Sequence, residues 1–331
     1  MARGRSVRTF GLFLICVLGM VGCGGGARTS TTVPDVPKVQ TLTYRPGLPL
    51  HVEVRSAGRE GPLRIERISY TSADGQTVPA LFAIPTGSKP LGCLMYQGGL
   101  GQTKEALPQL REGLANLRLA TFTIDPRHGG ARGSVAQMAA ALKTPETLLA
   151  MVLDTVVDLR MGLDYLFSRP ECRHNIAYLG TSFGGVVGAI FGGEDPRLKA
   201  VILTSIGATF KEAMLHGSDA AQHIPGLPVP VPGAAQDPAL LAHAVSILGP
   251  YDPATWVAKI APRPVMLING RFDPLVAPAD ALELAAAAAD PKTLLYFNGG
   301  HDPFAPGPDQ DKVAVQVAEF LASNLGLPTP L

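Results

Sequence analysis

Three residue types that together perform covalent acyl transfer, a serine, a carboxylate and a histidine, stand in that order in the second half of the chain as Ser182, Asp273 and His301. Ser182 lies in Gly180-Thr181-Ser182-Phe183-Gly184, after the apolar run Ile176 to Leu179 and before the small-residue stretch Gly185 to Ile190. That layout reads as a strand turning sharply into a helix with the serine at the bend. Glycines on both sides let backbone pass where a Cβ would obstruct it. A serine so held faces a helix N-terminus, whose free N–H groups and positive dipole end suit an oxyanion.

A serine needs a base, and the base needs an orienting acid. Pro264-Val-Met-Leu-Ile-Asn-Gly270 is an apolar run suited to a buried parallel strand, and Asp273 lies in the loop that leaves it. Thr293 to Phe297 is the next strand candidate, and Asn298-Gly-Gly-His301 follows it with glycines that let the loop bend back. All three side chains therefore belong to loops after strand C-termini, where open α/β sheets place their sites. Asp252 and Asp302, also in Asp-Pro pairs, are alternatives for the acid. His128, in the loop Asp125-Pro-Arg-His-Gly-Gly130, is the rival histidine and is read as lining the pocket.

The elements that must position these residues alternate. Strands are predicted near residues 63–70 and 78–84, joined as a hairpin through Asp74-Gly75, and near 94–97, 120–124, 176–179, 200–203, 265–268 and 294–297. Helices are predicted near 104–117, 144–167, 183–192, 279–289 and 310–324. The alternation favours an α/β fold with a mostly parallel eight-stranded sheet and helices on both faces. Between the strands near 203 and 265 lies an insertion, about residues 207–251, too long for an ordinary connection.

The order Ser182, Asp273, His301, the approach Asp158-Leu-Arg-Met-Gly-Leu-Asp-Tyr-Leu166 and the stretch Ile260-Ala-Pro-Arg-Pro-Val-Met-Leu-Ile-Asn-Gly-Arg-Phe-Asp273 resemble the α/β-hydrolases over roughly residues 60 to 326. The branch they look like is that of dienelactone hydrolases, acetyl esterases and prolyl-oligopeptidase-like proteins. Gly98-Gly-Leu-Gly-Gln-Thr-Lys-Glu105 is similar to that branch's H-G-x-G-G-S-K-E loop, with Gly98 in place of the histidine. The resemblance implies a serine hydrolase acting on a small carboxylic ester, with a peptidase or acyltransferase as the same-fold alternative; a non-catalytic lipid-anchored binding module is the alternative from another class. It also implies an oxyanion hole from the amide of Phe183 and that of Leu100, or of Gly99 if the register slips by one. The insertion becomes a cap, with Met214, Leu215, Ile224 and Leu227 either forming a substrate wall or packing the surface. Cys93 and Cys172 approach strands that this fold places side by side, so a disulfide fits an oxidising compartment.

The chain opens with Arg3, Arg5 and Arg8, then an apolar stretch from Phe10 to Gly22 that is too short to span a membrane. With Gly19-Met-Val-Gly-Cys23 behind it, this start resembles a bacterial lipoprotein signal, with plain secretory cleavage as the alternative. Residues 1–22 would be removed and Cys23 lipidated, so the protein would be exported and held at a membrane of the cell envelope. Residues 23–46, rich in Gly, Thr, Ser and Pro, would form a tether, leaving 47–331 as the enzyme domain. Removing three of the 28 basic residues leaves 25 against 27 acidic ones, a formal net charge of −2 without a basic cluster, which argues against a nucleic-acid partner. No His, Cys or carboxylate spacing resembles a metal site, and the chemistry calls for no metal or cofactor.

Overall fold

The computed structural model describes Leu42, Tyr44, residues 47–223 and residues 228–328. The frame is one sheet of nine strands: β1 (Glu53–Glu60), β2 (Leu63–Thr71), β3 (Thr77–Pro85), β4 (Gly92–Gln97), β5 (Leu119–Ile124), β6 (Ile176–Thr181), β7 (Ala200–Thr204), β8 (Val265–Gly270) and β9 (Lys292–Phe297). Their spatial order is β1-β2-β3-β5-β4-β6-β7-β8-β9. The pairings up to β3–β5 are antiparallel and the rest are parallel.

The sheet expected from sequence had eight strands, and the additional one is β1. Its sequence, EVRSAGRE, has no apolar alternation and every residue is exposed. The backbone ladder to β2 holds it, with a register shift between Val54 and Ser56. The bonds from Arg55 to Ser69 and from Arg67 to Glu60, both at 2.9 Å, add to that ladder, and an element held by polar bonds without apolar burial leaves little mark on hydrophobic pattern.

Side-chain alternation divides the core in two. On β4, β6 and β8, Cys93, Met95, Ile176, Tyr178, Val265 and Leu267 enter one layer, while Leu94, Tyr96, Ala177, Leu179, Met266 and Ile268 enter the other. The first layer lies under α3 (Pro145–Ser168) and α4 (Phe183–Glu194), the second under α1 (Pro108–Asn116) and, last in the chain, α9 (Gln310–Leu325). The remaining helices are α2 (Val135–Ala141), α5 (Phe210–Ala221), α6 (Pro238–Leu248), α7 (Pro253–Val257) and α8 (Pro278–Ala287). α1 begins four residues later than expected, because Leu107 takes a left-handed φ of 52° and Pro108 supplies the first helical turn. α3, buried for most of its length, starts at a capping box between Thr144 and Thr147.

The insertion expected at 207–251 contains α5 and α6 and is fastened to the body of the molecule. The Val231 amide donates to the Leu142 carbonyl at 2.7 Å, and His243 meets Glu146 on α3 at 2.7 Å. Met214 is fully buried in the α3-side core and Leu215 is half-buried, while Ile224 and Leu227 lie outside the described residues. Cys93 and Cys172 are disulfide-bonded, with 4.8 Å between their Cα atoms. Residues 1–22, Cys23 and the tether as far as residue 41 also lie outside the described residues.

Candidate active site

Ser182 stands between β6 and α4 with φ 55° and ψ −117°, a backbone conformation that L-residues rarely adopt. The surroundings force it. A Cβ on Gly184 would lie 1.9 Å from the Gln97 carbonyl oxygen, and one on Gly180 would lie 2.1 Å from the Gly184 carbonyl oxygen. The Ser182 amide donates to the Thr204 carbonyl at 2.9 Å, and the Tyr178 hydroxyl donates to the Gly184 carbonyl at 2.7 Å. The first bond ties the bend to the neighbouring strand β7 and the second ties it back to β6.

His301 and Asp273 reach Ser182 from the loops after β9 and β8. His301 Nε2 is 2.8 Å from Ser182 Oγ, and its Nδ1 is 2.9 Å from Asp273 Oδ2 and 3.0 Å from Oδ1. The Asp273 side chain is 1% exposed, so its carboxylate is taken from solvent and committed to local donors. Besides the imidazole it accepts from the amides of Leu275 at 2.8 Å and Val276 at 3.2 Å. A carboxylate at Nδ1 holds the proton there and leaves Nε2 as the acceptor facing the hydroxyl.

The alternatives weighed from sequence are otherwise occupied. The Asp252 carboxylate accepts from the Phe210 amide at 2.7 Å, and Asp302 accepts from the Phe304 amide at 2.9 Å. His128 has a left-handed φ of 60°, and burial followed by the charges of Arg127 and Arg132 lowers its pKa, but the imidazole hydrogen-bonded to Ser182 is that of His301.

The loop after β4 brings Gly98, Gly99 and Leu100 beside Ser182. Gly184 N–H donates to the Gly98 carbonyl at 3.0 Å, and a Cβ on Gly99 would lie 3.4 Å from Ser182 Cβ. The Gly99 amide donates to Gln102 Oε1 at 3.1 Å, and the Tyr96 hydroxyl donates to the same oxygen at 3.2 Å. Among the described residues the amides of Leu100 and Phe183 have no protein acceptor. Sequence reasoning left the register between Gly99 and Leu100 open, because a side chain three residues downstream decides which amide is free. Nothing in the sequence singled out Gln102, which meets the Gly99 amide across a tight loop, or paired Lys104 with Asp125, which stand 21 residues apart with α1 and β5 between them. Among the described residues no group of three or more His, Cys, Asp or Glu is placed to hold a metal ion.

No protein-family model matches this sequence, and none of the curated proteins is similar to it. Solved structures do match. An acetyl xylan esterase from Paenibacillus sp. R4 is 20% identical with a TM-score of 0.63, over 83% of this chain and 89% of that one. The chain has the α/β-hydrolase fold.

Acetyl xylan esterase 1 from a Thermoanaerobacterium species shares this α/β-hydrolase fold at 16% identity and a TM-score of 0.64, over 81% of this chain and 86% of that one. So does a putative dipeptidyl aminopeptidase IV from Bacteroides ovatus, at 16% identity and a TM-score of 0.61, where the match covers 79% of this chain and 36% of that one. Within the fold, Ser182, Asp273 and His301 stand at the strand ends where open α/β sheets carry their sites.

Proposed function

We propose that this protein is a serine hydrolase that cleaves a carboxylic ester through an acyl-enzyme on Ser182. The observation that carries the reading is the continuous line from Asp273 through His301 to Ser182 Oγ, at 2.9 Å and 2.8 Å. His301 Nε2 takes the hydroxyl proton as Oγ attacks the ester carbonyl, and Asp273 stabilises the imidazolium that results. The amides of Phe183 and Leu100, with Gly99 as the occupied neighbour, face the developing oxyanion. Each such donor contributes about 3 kcal/mol to transition-state stabilisation. Protonated His301 then delivers its proton to the departing alkoxide, and water activated by the same imidazole releases the acid. Alkoxides need less leaving-group help than amines, and the acetyl xylan esterases have this fold, so the ester reading stands ahead of a peptidase or acyltransferase.

The test is turnover of a panel of p-nitrophenyl esters by the wild type and Ser182→Ala. A loss of about 10³-fold or more, with a fluorophosphonate adduct on Ser182 in the wild type, is the expected result. Equal rates in the two proteins would leave a binding module in place of an enzyme.

We further propose that the protein is exported and lipid-anchored through Cys23. The basic start, the apolar stretch from Phe10 to Gly22 and the disulfide between Cys93 and Cys172 support that reading. Expression with Cys23→Ser is expected to move the protein from the membrane fraction to the soluble one. An unchanged distribution rejects the anchor.

A further inference from the structure

We propose that Asp125, acting through Lys104, is a positioning residue for the oxyanion loop; the inference rests on the hydrolase reading above. Asp125 directly follows β5 and is fully buried. Its Oδ1 accepts from the Lys104 amide at 2.9 Å, and its Oδ2 accepts from Lys104 Nζ at 2.8 Å and from the Ala131 amide at 3.0 Å. One carboxylate thus fastens together the loop after β4, which carries Gly99 and Leu100, and the loop after β5. A buried carboxylate with three N–H donors, one of them cationic, is a strong and directional anchor.

The anchor is itself held. Thr123 Oγ1 donates to the Lys104 carbonyl at 2.7 Å, so residue 104 is gripped through its amide, its carbonyl and its side chain. Gly130 lies so close that a Cβ there would be 2.3 Å from Asp125 Oδ1. Two residues beyond Asp125, Arg127 donates to Asp158 on α3 from Nε and Nη2, both at 2.9 Å. The line from α3 through Arg127 and Asp125 to Lys104 ties the oxyanion loop to the longest buried helix. Oxyanion donors accelerate a reaction to the extent that they are fixed before the charge develops. Gln102 holds the loop at the Gly99 amide, and Asp125 holds it at Lys104, four residues beyond Leu100.

The experiment compares wild type, Asp125→Asn and Lys104→Met. Active sites are titrated with a fluorophosphonate, kcat and KM are measured per titrated site with p-nitrophenyl acetate, and inhibition is measured with a trifluoromethyl ketone, whose adduct carries the oxyanion. Asp125→Asn is expected to lower kcat per titrated site by about tenfold or more, with KM within about twofold, and to weaken the ketone by the same factor as kcat/KM. Lys104→Met removes the ammonium, keeps the backbone bond and should give a smaller loss of the same pattern, which also carries the test if Asp125→Asn does not fold. A fall in the titratable fraction with unchanged kcat per site and unchanged ketone affinity overturns the proposal, leaving Asp125 a scaffold residue. Failure of the fluorophosphonate to label wild-type Ser182 overturns the hydrolase reading first, and is told apart by that signal.

Discussion

At the scale of single residues, the chain places several carboxylates where their charge is costly. Burial, with Asp158 and Asp74 nearby, pushes Asp154 up to about 6 against the attraction of Arg127. Burial likewise pushes Asp252 and Asp280 up to about 6. A carboxyl with a raised folded-state pKa holds its proton in the folded protein while the unfolded chain has lost it. It therefore favours folding below about pH 4, and that contribution fades as pH rises through about 6. Asp154→Asn removes the ionisation and is expected to stabilise the protein by about 1–2 kcal/mol near pH 7.5, after allowance for solvent at its rim. Urea unfolding from about pH 4 to pH 8 checks this, and a variant with the wild-type pH slope would contradict it. That Ser182, His301 and Asp273 could meet was legible in sequence, because each follows an apolar run with glycine or proline beside it; the structure joins them at 2.8 and 2.9 Å. Gln102, Asp125 and Lys104 were not legible as a group, since their roles depend on which backbone amide each meets across a loop.

At the scale of elements, the disulfide shows how a crosslink can serve the fold without touching the chemistry. Cys93 is at the start of β4 and Cys172 precedes β6, whereas Gly98 and Ser182 follow the far ends of those strands. The bridge closes a loop between residues 79 apart, and the chain-entropy account gives it about 4–5 kcal/mol. Cys93→Ala with Cys172→Ala is expected to lower the melting temperature by roughly 5–15 °C. Ester turnover well below the transition should stay within about twofold, because the strands still position both loops. A melting temperature unaltered by the double substitution would show that the bridge constrains nothing. Predicted strands and helices agreed best where period and punctuation coincided, as in α4 and α9, which begin at the residues expected. The start of α1 was misplaced because the backbone of Leu107 turns left-handed before Pro108, a conformation its side chain does not announce. α2, a short helix capped by Ser134, fell below the length at which apolar spacing separates helix from turn.

At the scale of the whole molecule, the sequence disclosed the α/β alternation, the two covered faces of the sheet and the position of the insertion, since each of these is written in long apolar runs. What it withheld was the perimeter. Among the described residues β1 pairs with β2 on one side, and its other side meets no further strand. A row of free amides and carbonyls there is a template on which another chain can crystallise its own strand. The composition of β1 answers that hazard: Glu53, Arg55, Arg59 and Glu60 put charges of both signs along eight residues, and the slip between Val54 and Ser56 spoils a straight register. The strand that looked least like a strand is thus the one suited to be a border.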